Sequence, residues 1–229
     1  MTGRLLAIGD IHGQADHIEV LLDVVRPTPA DRLILLGDYV GGGPESARAL
    51  DIVGRLIRQL GAVALRGNHD DVMINALDDP DIFERWARGH GAETVASYGT
   101  STDRPSAAAI ERRHGPLLRS LKLWHEEPEA IFVHAGVEPA LPMSEQSPVT
   151  LLWQKQYAAT PPHLSGKTIV CGHTSQKDGL PHEFGSTLCI DTNAKDGNWL
   201  TCLDVLTRQY RQARADGSTR TFTLNEDSD

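Results

Sequence analysis

The sequence predicts an α/β protein in which two mixed β-sheets pack together as a β-sandwich flanked by helices. Three observations carry this prediction. The amino-terminal part alternates short apolar runs with helical periodicity, the carboxy-terminal part consists of short β-rich runs, and several apolar runs end in glycine beside Asp, Asn or His. Alternating strand and helix signals imply parallel strands joined by right-handed crossovers, and the strand-rich continuation implies a second sheet.

Residues 4–8 form an apolar run closed by Gly9-Asp10 and read as a buried strand. Over 14–26, Ile18, Leu21, Leu22 and Val25 recur at helical spacing until Pro27 stops the helix. Residues 32–36 are a second strand, running into Gly37-Asp38. Pro44 then opens a helix to Leu60, with Ala49, Ile52, Val53, Leu56, Ile57 and Leu60 on one face. Residues 62–65 are a third strand, ended by Arg66-Gly67-Asn68-His69. The segment 70–121 is polar and helical, with a break at Gly89-His90-Gly91 and a loop at 102–106. Beyond it, 130–133, 168–171, 187–190, 199–206 and 209–213 are β-rich, and Ala215-Asp216-Gly217 is a hairpin turn. No internal repeat is visible. One domain over 1–224 is expected, with 225–229 a frayed acidic end.

Of 229 residues, 40% are hydrophobic and 23% charged, enough to bury a sizeable core. The 22 Lys+Arg against 31 Asp+Glu give a formal charge of −9, which argues against nucleic acid as a partner. Cys171, Cys189 and Cys202 are odd in number and unclustered, fitting a reducing compartment. The first residues contain no apolar signal core and the chain no long apolar span, so a cytoplasmic protein without membrane contact is expected.

The chemistry sits at the strand ends: Gly9-Asp10-Ile11-His12-Gly13, Gly37-Asp38, Gly67-Asn68-His69-Asp70, Val133-His134-Ala135-Gly136 and Cys171-Gly172-His173-Thr174. Ligands bind at the carboxyl ends of strands in open α/β sheets. Oxygen and imidazole donors without thiolate suit borderline divalent metals. Each piece alone is an ordinary turn or cap; five on one sheet edge are a site.

In this order, with 28 residues from Asp10 to Asp38 and 30 from Asp38 to Asn68, these segments resemble the dimetal phosphoesterases of the serine/threonine protein phosphatase and diadenosine tetraphosphatase type, the calcineurin-like metallophosphoesterases. The resemblance implies two divalent ions, manganese first, with iron or zinc as alternatives. Asp10 and His12 would hold one ion and Asp38 would bridge. Asn68, His134 and His173 would hold the other, and His69 would protonate the leaving oxygen. Two such cations clamp a phosphoryl group and acidify a bridging water, whose hydroxide attacks phosphorus.

One stretch departs from the family. Where it reads Gly-Asp-x-Val-Asp-Arg-Gly, this chain has Gly37-Asp38-Tyr39-Val40-Gly41-Gly42-Gly43. The Asp missing at Gly41 would orient the catalytic imidazole, and the Arg missing at Gly42 would grip phosphate. Substitutes on offer are Lys155, in a segment resembling a family Leu-Trp-x-Arg, the backbone N–H groups around Gly42, and Arg66. A solvated surface role for Lys155 and a structural one for Arg66 are the alternatives. Asp191 and Thr174 are orienting groups or strand-end turns. An Asp restored at position 41 is expected to hold His69, and an Arg at 42 to bind phosphate.

The expected function is therefore metal-dependent hydrolysis of a phosphomonoester, on a phosphoprotein or a small molecule. A dinucleoside polyphosphate hydrolase and a metal-binding but catalytically impaired interaction module are the alternatives. Substrate choice falls to the middle segment and the loop 138–150, neither of which carries a readable motif.

Overall fold

A computed structural model describes residues 3–101 and 103–224. Strands β1 (Leu5–Ile8), β2 (Arg32–Leu35) and β3 (Val63–Ala64) pair in parallel, with helices α1 (Ala15–Val25) and α2 (Ser46–Leu60) as crossovers. The sheet continues from the other side of β1 through β9 (Leu200–Asp204), β10 (Gln209–Ala213) and β11 (Thr219–Thr223), all antiparallel, in the order β11-β10-β9-β1-β2-β3. The second sheet has the order β4-β5-β6-β8-β7. In it β5 (Ala130–Val133), β6 (Thr168–Cys171) and β8 (Thr187–Cys189) are parallel, and β4 (Trp124–Glu126) and β7 (His182–Phe184) are antiparallel edges. The α/β two-sheet architecture is the predicted one.

Alternation along β1 shows how the layers divide. Leu5 and Ala7 point between the sheets, onto Phe132, Val170, Leu188 and Tyr210, whereas Leu6 and Ile8 point to the helical layer. That layer contains α1, α2, α3 (Asn68–Asp78) and α6 (Ala107–Ser120), and α4 (Pro80–Arg88) and α5 (Ala92–Ser97) join its core through Phe83, Ala87 and Val95. A short helix α7 (Pro148–Trp153) covers the far face of the second sheet through Leu151.

The differences from expectation have local causes. Pro44 precedes its helix, which begins at Ser46 after Glu45. Helix α3 begins at Asn68, two residues before the predicted helical segment, so Asn68 and His69 lie at its amino terminus. The break at 89–91 falls between α4 and α5 as expected. Strand β11 was invisible because Thr-Arg-Thr-Phe-Thr has little apolar content; the expected 215–217 turn delivers it, with Gly217 at φ +87° donating to Arg214 O at 3.1 Å. Residue 102 of the expected loop and the expected frayed end 225–229 lie outside the described residues.

The start of β1 is fastened by Asp31, whose carboxylate accepts from Arg4 N (2.9 Å), Arg4 Nε (3.1 Å), Arg4 Nη2 (2.8 Å), Thr28 N (2.8 Å) and Thr28 Oγ1 (3.1 Å). The bonds from Arg4, first among the causes, hold the Asp31 pKa well below the usual carboxylate range. A depressed native pKa means stability that is full above the unfolded value, about 4, and lost as the pH falls toward the native one. Asp31→Ala is expected to cost about 2–3 kcal/mol at neutral pH, read as a lower urea midpoint at unchanged slope, with the deficit shrinking in acid.

Candidate dimetal site

Six parallel strands end at one edge where the two sheets meet, and each end supplies a side chain. β1 leads to Asp10 and His12, β2 to Asp38, β3 to Asn68, β5 to His134, β6 to His173 and β8 to Asp191. All but His173 are buried. The loops are stitched directly: Ile11 N and His12 N donate to Asp38 O (3.1 and 2.7 Å), and Gly13 N to Tyr39 O (2.8 Å). The buried Asp70 carboxylate accepts from Asp38 N (2.8 Å), Tyr39 N (3.0 Å) and Gly67 N (2.9 Å), locking the second loop to the start of α3. His12 (φ +49°), Asp38 (+50°) and His173 (+62°) sit in the left-handed region, a strain that clusters at functional sites.

The donors form two groups that share one carboxylate. Ligating atoms of Asp38, His134 and His173 lie within 4.8 Å of one another, and so do those of His12, Asp38 and His69. Asp38 Oδ2 is 3.5 Å from both His12 Nε2 and His134 Nε2, while Asp38 Oδ1 is held by His69 N at 2.9 Å. Asn68 Oδ1 is 2.9 Å from His134 Nε2 and 2.9 Å from His173 Nδ1. Asp10 Oδ2 lies 3.9 Å from His12 Nε2 and accepts from His173 N at 3.0 Å. Its Oδ1 is buried without a partner, and Gly172 leaves it room, since a Cβ there would come within 1.9 Å.

These residues fit a pair of cations. A neutral imidazole has one N–H, and three histidines spend it on backbone carbonyls: His12 Nδ1 on Gly41 O (2.7 Å), His134 Nδ1 on Leu36 O (2.9 Å) and His173 Nε2 on Trp153 O (3.2 Å). Each then turns a lone pair inward, as metal-binding histidines do. Those of His134 and His173 meet the Asn68 side-chain amide at 2.9 Å each, so the three side chains converge on one point. Burial pushes the His12 pKa down to about 3, helped by His69 and Lys195, and lowers His134 further from its ordinary value. Burial, then Asp191 and Asp38, raise Asp10; burial, then Asp70, raise Asp38. Buried carboxylates beside neutral imidazoles are what divalent ions stabilise.

His69 stands edge-on to His12, ring centroids 4.9 Å apart, and belongs to the same group as His12 and Asp38, where sequence reasoning placed Asp10. Burial, then the charges of Lys195 and His173, bring its pKa down to about 4. A Cβ at Gly41 (φ +82°) would lie 2.5 Å from His69 Nδ1. Position 41 faces the imidazole, and a side chain there requires the His69 ring to shift.

A cleft of about 370 Å³ opens over the cluster, lined by His12, Asp38, Asn68, His69, Trp153, Lys155, His173, Ser175, Asp191 and Lys195. Lys155 thus lines the site. Arg66 does not: its guanidinium pairs with Asp71 at 3.2 Å. Above Gly42 runs the side chain of Lys195, which sequence reasoning missed because no motif marks it. Asp191, its pKa raised to about 6 by burial, accepts from Asn193 N at 3.0 Å. Thr174 Oγ1 accepts from Gln156 N at 2.9 Å, tethering the segment that bears Lys155, and Thr192 Oγ1 donates to Trp199 O at 2.6 Å. Beside the cleft, sharing Asn68, His69 and Trp153 with it, lies a more apolar cavity of about 230 Å³ walled by Val40, Val72 and Trp86.

Two sheets converging on oxygen and imidazole donors that share one carboxylate define the class, a metallophosphoesterase fold. Residues 3–206 match the calcineurin-like phosphoesterase family, and the chain belongs to it. It is 34% identical over 139 residues to a symmetrical bis(5'-nucleosyl)-tetraphosphatase of Methylococcus capsulatus, a match covering 59% of this chain and 44% of that protein. It is 30% identical over 118 residues to a zinc-dependent endopolyphosphatase of Saccharomyces cerevisiae, covering 50% and 35%. The chain thus spans less than half the length of these curated relatives. A cold-active protein-tyrosine phosphatase of a psychrophilic Shewanella shares the fold at TM-score 0.69 and 17% identity, over 96% of this chain and 80% of that one. A serine/threonine phosphatase of Saccharomyces cerevisiae does so at TM-score 0.59 and 17% identity, over 100% and 82%. No described helix is long and apolar enough to cross a membrane.

Proposed function

We propose that the chain is a metal-dependent hydrolase of phosphoric esters or anhydrides. The single observation that carries this reading is the shared Asp38, flanked by histidines whose N–H groups are spent on backbone carbonyls. Asp10, His12 and Asp38 are the residues to hold one ion; Asp38, Asn68, His134 and His173 are those to hold the other, manganese being the first choice for this donor set. When bound, such ions supply positive charge to the phosphoryl oxygens and make a water acidic enough to attack at neutral pH. His69, on the wall shared by the cleft and the apolar cavity, delivers a proton to the departing oxygen. Its pKa of about 4 leaves it neutral alone, and a phosphate dianion alongside raises it.

The apolar cavity favours a nucleotide-type polyphosphate over a phosphoprotein. Trp86 and the half-exposed Trp153 (47%) line this cavity beside His69, an aromatic surround suited to a base or aryl leaving group. The tetraphosphatase name of the relatives points the same way. Hydrolysis assays with Mn²⁺ test both levels, using p-nitrophenyl phosphate, a bis-nucleosyl tetraphosphate and a phosphoserine peptide. The tetraphosphate is expected to give the highest kcat/KM. Preference for the phosphopeptide overturns the substrate reading, and a fully metallated chain that hydrolyses none of them favours the impaired, interaction-module alternative.

A further inference from the structure

We propose that Lys195 binds the substrate's phosphoryl group, filling from a different part of the chain the volume left by Gly42. The proposal rests on the phosphoester reading above for its ligand, and on geometry for its residue. A Cβ built on Gly42 would lie 2.7, 2.8 and 3.0 Å from Lys195 Cγ, Cε and Cδ, so the lysine stem occupies the space a side chain at 42 would need. Gly42 has φ +108°, which suits glycine and lets the stem lie directly on the backbone.

The stem is aimed by a fixed base. Asn193, at φ +66°, donates its N–H to Asp191 Oδ1 (3.0 Å) and accepts from Ser175 Oγ (2.8 Å). Ala194 is buried in the core beneath, and Lys195 O accepts from Gln14 Nε2 at 3.2 Å, just beyond the His12 loop. The side chain itself is exposed and enters no ion pair among the described residues. Its charge is felt at His12, His69, Asp38 and Asp191. Lys155 acts on His173 and Asp191, from the other wall of the cleft. An unpaired ammonium facing the cluster from the His12 and His69 side is placed to meet phosphoryl oxygens as a point charge.

Calorimetry with orthophosphate on the Mn²⁺-loaded protein tests this without turnover. Lys195→Ala is expected to weaken orthophosphate binding about tenfold, and to raise KM more than it lowers kcat. Lys195→Arg is expected to stay within about threefold of wild type, since the charge is kept. Metal content should be equal in all three. The proposal is overturned by wild-type affinity in Lys195→Ala, by absence of orthophosphate binding in the wild type, or by a loss that appears in Lys155→Ala instead. A wild type that binds orthophosphate through Lys195 yet hydrolyses nothing overturns the hydrolase reading alone.

Discussion

His69→Ala is expected to keep its metal content and lose about 10²–10⁴-fold in kcat on an alkyl phosphate, the usual contribution of a positioned general acid. The ring has no hydrogen bond to the protein among the described residues, unlike His12, His134 and His173, whose second nitrogens are each held by a carbonyl. A ligand histidine needs such a hold; a proton donor needs freedom to meet its substrate. The loss should shrink with p-nitrophenyl phosphate, whose leaving oxygen departs unprotonated. His69 also lies within 4.8 Å of the ligating atoms of His12 and Asp38. The competing outcome is therefore specific: metal loss in His69→Ala comparable to that in Asp38→Ala would make it a ligand and exchange the roles of Asn68 and His69.

Asp38→Ala is expected to weaken both cation positions together, by roughly 100-fold or more, because one carboxylate faces both groups of donors. His134→Ala removes a side chain close to only one group and should weaken one position more than the other. Metal titrations of the two variants separate these patterns. Equal, one-sided losses in both would show that Asp38 serves a single ion. The folded state should survive, since without metal Asp38 is a buried carboxyl that burial and the neighbouring Asp70 destabilise in its charged form.

The strand ends were legible because a buried parallel strand reads as an uninterrupted apolar run, and the residue after it stands out as Gly beside a donor. Residues 4–8 and 32–36 show this best, each leading directly to Asp10 or Asp38. The same logic failed for β4, β7 and β11, whose Trp-His-Glu, His-Glu-Phe and Thr-Arg-Thr-Phe-Thr carry polar faces at sheet edges. Asp70 closes the segment Gly67-Asn68-His69-Asp70, but its bonds to Asp38 N and Gly67 N join two loops about 30 residues apart and leave no local trace. Lys195 was harder still. Its relation to Gly42 depends on β8 and the loop after it arriving beside β1 and β2, a contact across more than 150 residues that only the packed sheets create.

Electron paramagnetic resonance of the apoprotein titrated with Mn²⁺ tests the central claim most directly, because two Mn²⁺ ions sharing a carboxylate couple magnetically. The predicted result is saturation at two ions per chain with the spectrum of a spin-coupled pair, lost in Asp38→Ala. Saturation with only isolated, uncoupled Mn²⁺, or the same coupled spectrum in Asp38→Ala, would contradict it.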